Sequence, residues 1–203
     1  MEEIIINARK LTRIYAHGNA RVVGLDRVDF KITSGDMVVL KGDSGSGKST
    51  LLSLLAGLDR PTSGKLVVAK HDLSDSTEKR LTVFRRKVIG MVFQSFNLLP
   101  TLNLLENVYL PAMLAGQFDE DIISKAREYL HWIGLNHRLN HLPSQLSGGE
   151  MQRTAIARAL INDPAIILAD EPTGNLDSHN SETVMTLLAD LNRKSKRTVI
   201  VAT

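Results

Sequence analysis

The run Gly42-Asp43-Ser44-Gly45-Ser46-Gly47-Lys48-Ser49, followed by Thr50, matches the pattern G-x-x-x-x-G-K-[ST]. Its chemistry is phosphate binding. Glycines let backbone N–H groups turn inward around phosphate oxygens, and a helix opening at Lys48 would add the positive end of its dipole. The Lys48 ammonium would reach the β- and γ-phosphates, and the Ser49 hydroxyl would ligate Mg²⁺. A second chemical element is Ile166-Ile167-Leu168-Ala169-Asp170-Glu171, an apolar run ending in two acids. On a parallel sheet these acids come out at the carboxyl end, beside the glycine loop. Asp170 can hold Mg²⁺ through its water shell. Glu171 can polarise the water that attacks a γ-phosphorus.

A third element, Leu146-Ser147-Gly148-Gly149-Glu150, opens an apolar-periodic run from Met151 to Ile161 in which Ile156 and Leu160 keep helical spacing. It offers a second helix end suited to anions. The first loop already encloses one set of phosphates, so the economical arrangement is two chains head to tail, each lending Ser147, Gly148 and Gly149 to the other's nucleotide.

These elements need a scaffold that alternates strands and helices. Ile4-Ile5-Ile6, Val22-Val23 and Val28 to Ile32 read as short, half-exposed antiparallel strands. Met37-Val38-Val39-Leu40 reads as a buried parallel strand feeding the glycine loop, with Leu51, Leu52, Leu54 and Leu55 on the helix behind it. A turn is predicted at Arg60 to Gly64, strands at Leu66 to Val68 and Ile89 to Phe93, and a helix around Thr77 to Arg86. From Asn97 to about Leu146 the pattern is helical only: Ile122, Ala126, Leu130 and Ile133 form one stripe, and Gly134 is placed to stop that helix. Strand Ile166 to Ala169, a helix face of Val184, Leu187, Leu188 and Leu191, and strand Thr198 to Ala202 complete the alternation.

The expected fold class is α/β: a phosphate-loop NTPase core with a mainly parallel sheet, an N-terminal antiparallel β subdomain and an inserted helical subdomain. The expected division is one domain, with 1–94 and 165–203 as core and 95–164 as the helical insertion.

Composition fits one soluble globular domain of 203 residues, 43% apolar and 23% charged. Net charge is +3, and the basic residues are scattered apart from Arg85-Arg86-Lys87 and Arg193 to Arg197, so no nucleic-acid partner is expected. With no cysteine, disulfides and thiolate metal sites are excluded, and a reducing location is the simplest reading. The start Met1-Glu2-Glu3 lacks a basic n-region, and no apolar run reaches the length of a membrane span. Any membrane role is therefore expected to come through a partner.

The order of these motifs resembles the ATPase subunits of ABC transporters over essentially the whole chain: glycine loop, Gln94 after a strand, Leu146 to Glu150, the Asp170-Glu171 strand, then Asn175-Leu176-Asp177. The Ser-Gly-Gly motif distinguishes that family from other phosphate-loop NTPases. The resemblance implies ATP and Mg²⁺ as ligands and Gln94 in the Mg²⁺ shell, signalling to the helical lobe. It implies Asp177 near the partner's phosphate loop and Tyr15 stacked on adenine. It also implies a homodimer or pseudo-dimer on ATP binding, and a peripheral place on the cytoplasmic face of the inner membrane through an integral-membrane permease. Val92 to Leu102 with Glu171 to Ser178 is most similar to the lipoprotein-releasing (LolD), YbbA and macrolide-efflux (MacB) group. Cell-division FtsE ATPases are also similar. Asp43 stands where proline is frequent and Met151 where glutamine is usual, and neither change removes a catalytic atom.

DNA-repair ATPases share these motifs, but the stretch between Gln94 and Leu146 is too short for a long coiled-coil insertion. Val199 to Thr203 resembles the strand that leads into the family's switch histidine, and the sequence stops before such a residue. His17, His71, His131, His137, His141 and His179 do not replace it by position, and His137 and His141 read as solvated surface residues. The resemblance implies an ATP-hydrolysing subunit that drives a permease, and the alternative is a nucleotide-binding module that binds ATP but turns it over slowly until the tail beyond Thr203 is restored.

Overall fold

The computed structural model describes residues 3–18, 20–117 and 119–203, with the side chains of His17 and Ala20 excepted. The expectations for Met1-Glu2 and for His17 lie outside the described residues.

The N-terminal part forms an antiparallel sheet of order β2-β1-β4-β5, built from β1 (Ile4–His17), β2 (Ala20–Thr33), β4 (Ser63–Val68) and β5 (His71–Asp72). The expected short pieces at Ile4, Val22 and Val28 are in fact two long strands. Their pairing shifts register between Ala8 and Leu11 and again before Arg13 and Ile14. Lys10 (φ 46°) and Arg27 (φ 47°) sit at these irregularities. Each bulge resets which face a side chain takes, so the period-2 pattern breaks although the strand does not.

The second sheet is parallel with order β3-β8-β7-β6: β3 (Met37–Leu40), β8 (Thr198–Ala202), β7 (Ile166–Asp170) and β6 (Ile89–Val92). β7 and β8 are buried along almost their whole length, so both faces must be covered. On one face Leu168 and Ile200 pack with Leu52 and Leu55 of α1 (Lys48–Leu55), Leu81 and Phe84 of α2 (Glu78–Val88), and Ile6, Leu11 and Leu66 of the antiparallel sheet. On the other, Ile167, Val199 and Val201 pack with Ile156 and Leu160 of α5 (Gly148–Leu160) and with Val184 and Leu188 of α6 (Ser178–Ser195). β3 departs from expectation. It is parallel, but it lies at the sheet edge with Val39 43% exposed. A run of four apolar residues signals strand and apolar neighbours, not burial on every side.

Helices α3 (Leu104–Leu114), α4 (Glu120–Trp132) and α5 share a further core of Leu104, Val108, Ala126, Leu130, Ala157 and Ile161. α4 ends just before Gly134, whose φ of 78° takes the left-handed conformation that stops a helix. Buried Asn107 ties the loop ahead of α3 to the helix. Its amide donates to the Leu99, Leu102 and Asn103 carbonyls and accepts from the Leu99 N–H. Because α5 buries Ile156 and Leu160 against the sheet, and Ala157 with the capping Ile161 against α3 and α4, it is the rigid link between the two layers.

Candidate functional site

The chain leaves β3, turns through Gly42 to Gly47 and enters α1. Gly47, the residue before α1, has φ 93°, and a Cβ there would lie 2.3 Å from the Gly24 carbonyl oxygen. No other residue fits that approach. No side chain caps α1, whereas Thr77, Asn103, Asp119, Ser147 and Asp177 each accept a backbone N–H at the starts of α2 to α6. The first-turn N–H groups of α1 are therefore left for another acceptor. Lys48 Nζ lies over the loop, donating to the Gly42 and Asp43 carbonyls at 2.6 and 3.1 Å. Asp43, Ser44, Gly45 and Ser46 are exposed around it.

β7 delivers Asp170 to the same place, and Ser49 Oγ donates to Asp170 Oδ1 at 3.1 Å. Glu171 follows with φ 43°, its N–H donating to the Ala202 carbonyl at 3.0 Å and its carbonyl accepting from Gly174 N–H at 3.1 Å. Gln94, just past β6, is drawn to the loop after Glu171. A Cβ on Gly174 would stand 2.7 Å from Gln94 Nε2, and Asn175 Nδ2 donates to the Gln94 carbonyl at 3.1 Å. Lys48, Ser49, Gln94, Asp170 and Glu171 thus gather at the carboxyl end of the parallel sheet, where open α/β sheets bind ligands. Among the described residues no three His, Cys, Asp or Glu side chains cluster to hold a metal. A cation at Ser49 and Asp170 would complete its oxygen shell from phosphate and water, which suits Mg²⁺.

Ser147 caps α5. Its hydroxyl accepts from Glu150 N–H at 3.3 Å, and Glu150 Oε2 accepts from Ser147 N–H at 2.8 Å. That backbone hydrogen bond, outweighing the opposing effect of burial, holds the Glu150 carboxyl below its ordinary range. Gly149 is packed so tightly that a Cβ would meet Asn180 Oδ1 at 1.9 Å. Asp177 caps α6, accepting from Asn180 N–H at 2.8 Å and from Asn180 Nδ2 at 2.7 Å, and its carboxyl is held low first by that backbone bond. Within one chain, Ser147 and Asp177 are thus helix caps.

Tyr15, on β1, comes to the end of the phosphate loop through Gly24, which lies between it and Thr50. A Cβ on Gly24 would touch Tyr15 Cε2 at 2.9 Å. Its hydroxyl donates to Asp59 Oδ2 at 3.0 Å, Arg13 lies 4.5 Å from the ring centroid, and Arg13 is paired with Asp59 at 2.8 Å. Asp59 sits just beyond α1, so Tyr15 is tied to the helix that the phosphate loop opens.

Sequence reasoning missed these partners, and it missed Arg158. The half-buried Arg158 guanidinium donates to the carbonyls of Phe96 and Asn97, both at positive φ, and fixes the loop after Gln94 to α5. Burial lowers its pKa. It also missed Gln152 and Asn180, which no local pattern marks. His137 is exposed as expected, whereas His141 is half-buried, its Nε2 3.0 Å from Arg138 Nη1.

A chain with this pair of sheets, glycine loop and acidic strand end is an ABC-type nucleotide-binding domain, and the comparisons agree. The sequence profile of the ABC transporter family matches residues 25–174. The chain belongs to the ATP-binding proteins of that family. It is 47% identical over its full length to the lipoprotein-releasing system ATP-binding protein LolD of Legionella pneumophila, covering 89% of that protein. It is 46% identical to an uncharacterized ABC transporter ATP-binding protein of Methanocaldococcus jannaschii, over 97% of this chain and 88% of the other. Among solved structures it superposes on a dimeric structure of the ABC transporter cassette MJ0796 with a TM-score of 0.90 at 44% identity, covering 98% of this chain and 87% of that one. A dimeric post-hydrolysis structure of the same cassette, bound to ADP and Pi, gives a TM-score of 0.89 at 42% identity.

Proposed function

We propose that this chain binds ATP with Mg²⁺ at Gly42 to Thr50, hydrolyses it in a head-to-tail dimer, and drives a membrane permease of the lipoprotein-release or efflux type. The observation that carries the reading is the convergence of Ser49 and Asp170 at 3.1 Å, with Glu171 next in sequence at the mouth of the phosphate loop.

Lys48, leaving the Gly42 and Asp43 carbonyls, binds the β- and γ-phosphate oxygens, and the loop and α1 amides hold the rest. Ser49, Asp170 and Gln94 would hold Mg²⁺, which would neutralise charge developing on the phosphates. Glu171 accepts a hydrogen bond from a water, which attacks the γ-phosphorus as the bond to the β,γ-bridging oxygen breaks, giving ADP and phosphate. Ser147, Gly148 and Gly149 of a second chain close the site, and Asp177 lies across that contact. Tyr15 offers its ring to the adenine.

The permease partner is supported by a cleft of about 420 Å³ between the parallel sheet and α3, lined by Met91, Phe93, Leu110 and Leu114 and by the cationic Arg85 and Arg158. Exposed Met113 and Leu114 continue it outward. No helix among the described residues is long and apolar enough to cross a membrane, so contact with one runs through that partner. The lipoprotein cargo is supported by the printed name of the LolD relatives, and the position on the cytoplasmic face is proposed together with the permease partner.

Steady-state ATP hydrolysis and gel filtration test the reading. Lys48→Ala is expected to lose ATP binding, and Glu171→Gln to bind ATP, stop turnover and accumulate as dimer. ATP affinity that survives Lys48→Ala would overturn it.

A further inference from the structure

Gln152 is fully buried on α5, in a helix face otherwise made of Ala155, Ile156 and Leu160. Its Nε2 donates to the Pro172 carbonyl at 2.7 Å, while its Oε1 has no donor among the described residues. A half-satisfied amide in a core is costly, and methionine would fill the same volume without that cost. The donor is therefore the property that justifies the residue.

Its acceptor sits at a sensitive point. Glu171, immediately before Pro172, holds φ at 43°, a left-handed conformation that costs a non-glycine residue about 1–3 kcal/mol. Such a conformation persists only when its surroundings impose it. Three bonds do so: Glu171 N–H to the Ala202 carbonyl, Gly174 N–H to the Glu171 carbonyl, and Gln152 to the Pro172 carbonyl. The first two come from the sheet and the turn itself. The third comes from α5, the helix that Ser147-Gly148-Gly149 opens.

A parallel tie runs beside it: Gly149 packs on Asn180, Arg153 Nη1 donates to Asn180 Oδ1 at 3.3 Å, and Asn180 Nδ2 donates to Asp177. The start of α5 and the segment from Glu171 to Asn180 are therefore joined at two points.

We infer that Gln152 is a positioning residue for Glu171: it fixes the aim of that carboxylate and makes the aim depend on the placement of α5. In the proposed dimer the start of α5 faces the partner's nucleotide. Gln152 then carries occupancy of that site to the water-polarising group of its own. The inference rests on the reading of Glu171 given above.

The test uses the full-length protein with Gln152→Met, which keeps volume and loses the donor, and Gln152→Glu, whose carboxyl donates only when protonated. Gln152→Met is expected to lower kcat by about tenfold or more while KM for ATP and ATP-driven dimerisation stay within about twofold. Gln152→Glu is expected to regain turnover relative to wild type as pH falls, because burial raises the carboxyl's pKa and its neutral form can donate to the Pro172 carbonyl. Gln152→Met should lack that acid limb. If Gln152→Met misfolds, the pH profile of Gln152→Glu decides alone. An unchanged kcat in Gln152→Met, or a Gln152→Glu profile that parallels wild type, overturns the inference. Glu171→Gln run alongside separates the two readings: if it keeps turnover, the role of Glu171 fails, and if it loses turnover while Gln152→Met does not, only the role of Gln152 fails.

Discussion

Ser49 Oγ donates to Asp170 Oδ1 at 3.1 Å, joining the first turn of α1 to the end of β7 across 121 residues of sequence. The bond is exposed, so it adds little to stability. Its significance is that two hard oxygen ligands from separate elements meet at one point beside the phosphate loop.

Asp170→Asn is therefore expected to leave the melting temperature almost unchanged while reducing Mg²⁺-dependent nucleotide affinity by about tenfold or more. Thermal denaturation measures the first, and calorimetric titration with ATP, with and without EDTA, the second. Should the dependence on Mg²⁺ survive the substitution, Ser49 and Asp170 are not the ligand pair.

Gly47 gives a steric prediction. Gly47→Ala would place a methyl 2.3 Å from the Gly24 carbonyl oxygen at a residue with φ 93°. Relief requires the loop and β2 to separate, which at about 1–3 kcal/mol should lower the melting temperature by several degrees and abolish ATP binding by the folded protein. Gly45→Ala shares the positive φ but meets nothing within 4 Å, so it is expected to be milder. Equal effects of the two substitutions would show that φ, not the approach of Gly24, is limiting.

The phosphate loop, the acidic strand end and the Ser-Gly-Gly helix start were legible because each chemistry needs contiguous residues of fixed type. The parallel strands β6, β7 and β8 were legible for a related reason: burial on both faces leaves an unbroken apolar run. The long strands β1 and β2 were not, because bulges near Lys10 and Arg27 interrupt the alternation that a sequence reading relies on. Val39 was misread as buried, since strand order and edge position are properties of pairing. The supporting residues were invisible for the same reason. Gln152 meets Pro172, Arg13 and Asp59 meet Tyr15, and Arg158 meets Phe96 only after the layers pack.

Tyr15 is held at three points, by Gly24 at its edge, Arg13 over its face and Asp59 at its hydroxyl. An aromatic platform fixed in this way loses little entropy when a base stacks on it. Tyr15→Ala is expected to weaken ATP by about 1–3 kcal/mol, roughly 5- to 150-fold, and inorganic tripolyphosphate hardly at all. Tyr15→Phe keeps the ring and removes only its hydroxyl bond to Asp59, which stays paired with Arg13, so its loss should be smaller. Equal losses for ATP and tripolyphosphate would exclude base stacking.

Glu150 supplies a pH-dependent contribution to the start of α5. Its carboxylate accepts from Ser147 N–H, with Arg138 Nε 3.5 Å away, and its folded pKa is depressed, first by the backbone hydrogen bond. A depressed carboxyl stabilises the fold at pH values above its unfolded pKa, and that stability is lost as pH falls through the folded pKa. Glu150→Gln keeps a capping acceptor but removes the charge, and at neutral pH it should cost about 0.5–1 kcal/mol. The difference between wild type and Glu150→Gln should narrow below about pH 4 and close at more acid pH, once Glu150 is itself protonated. Thermal denaturation of both proteins from pH 7 to pH 3 measures this convergence. A constant gap across that range would mean that the carboxylate charge does not support the helix start, and that Ser147 alone sets the geometry of Gly148 and Gly149.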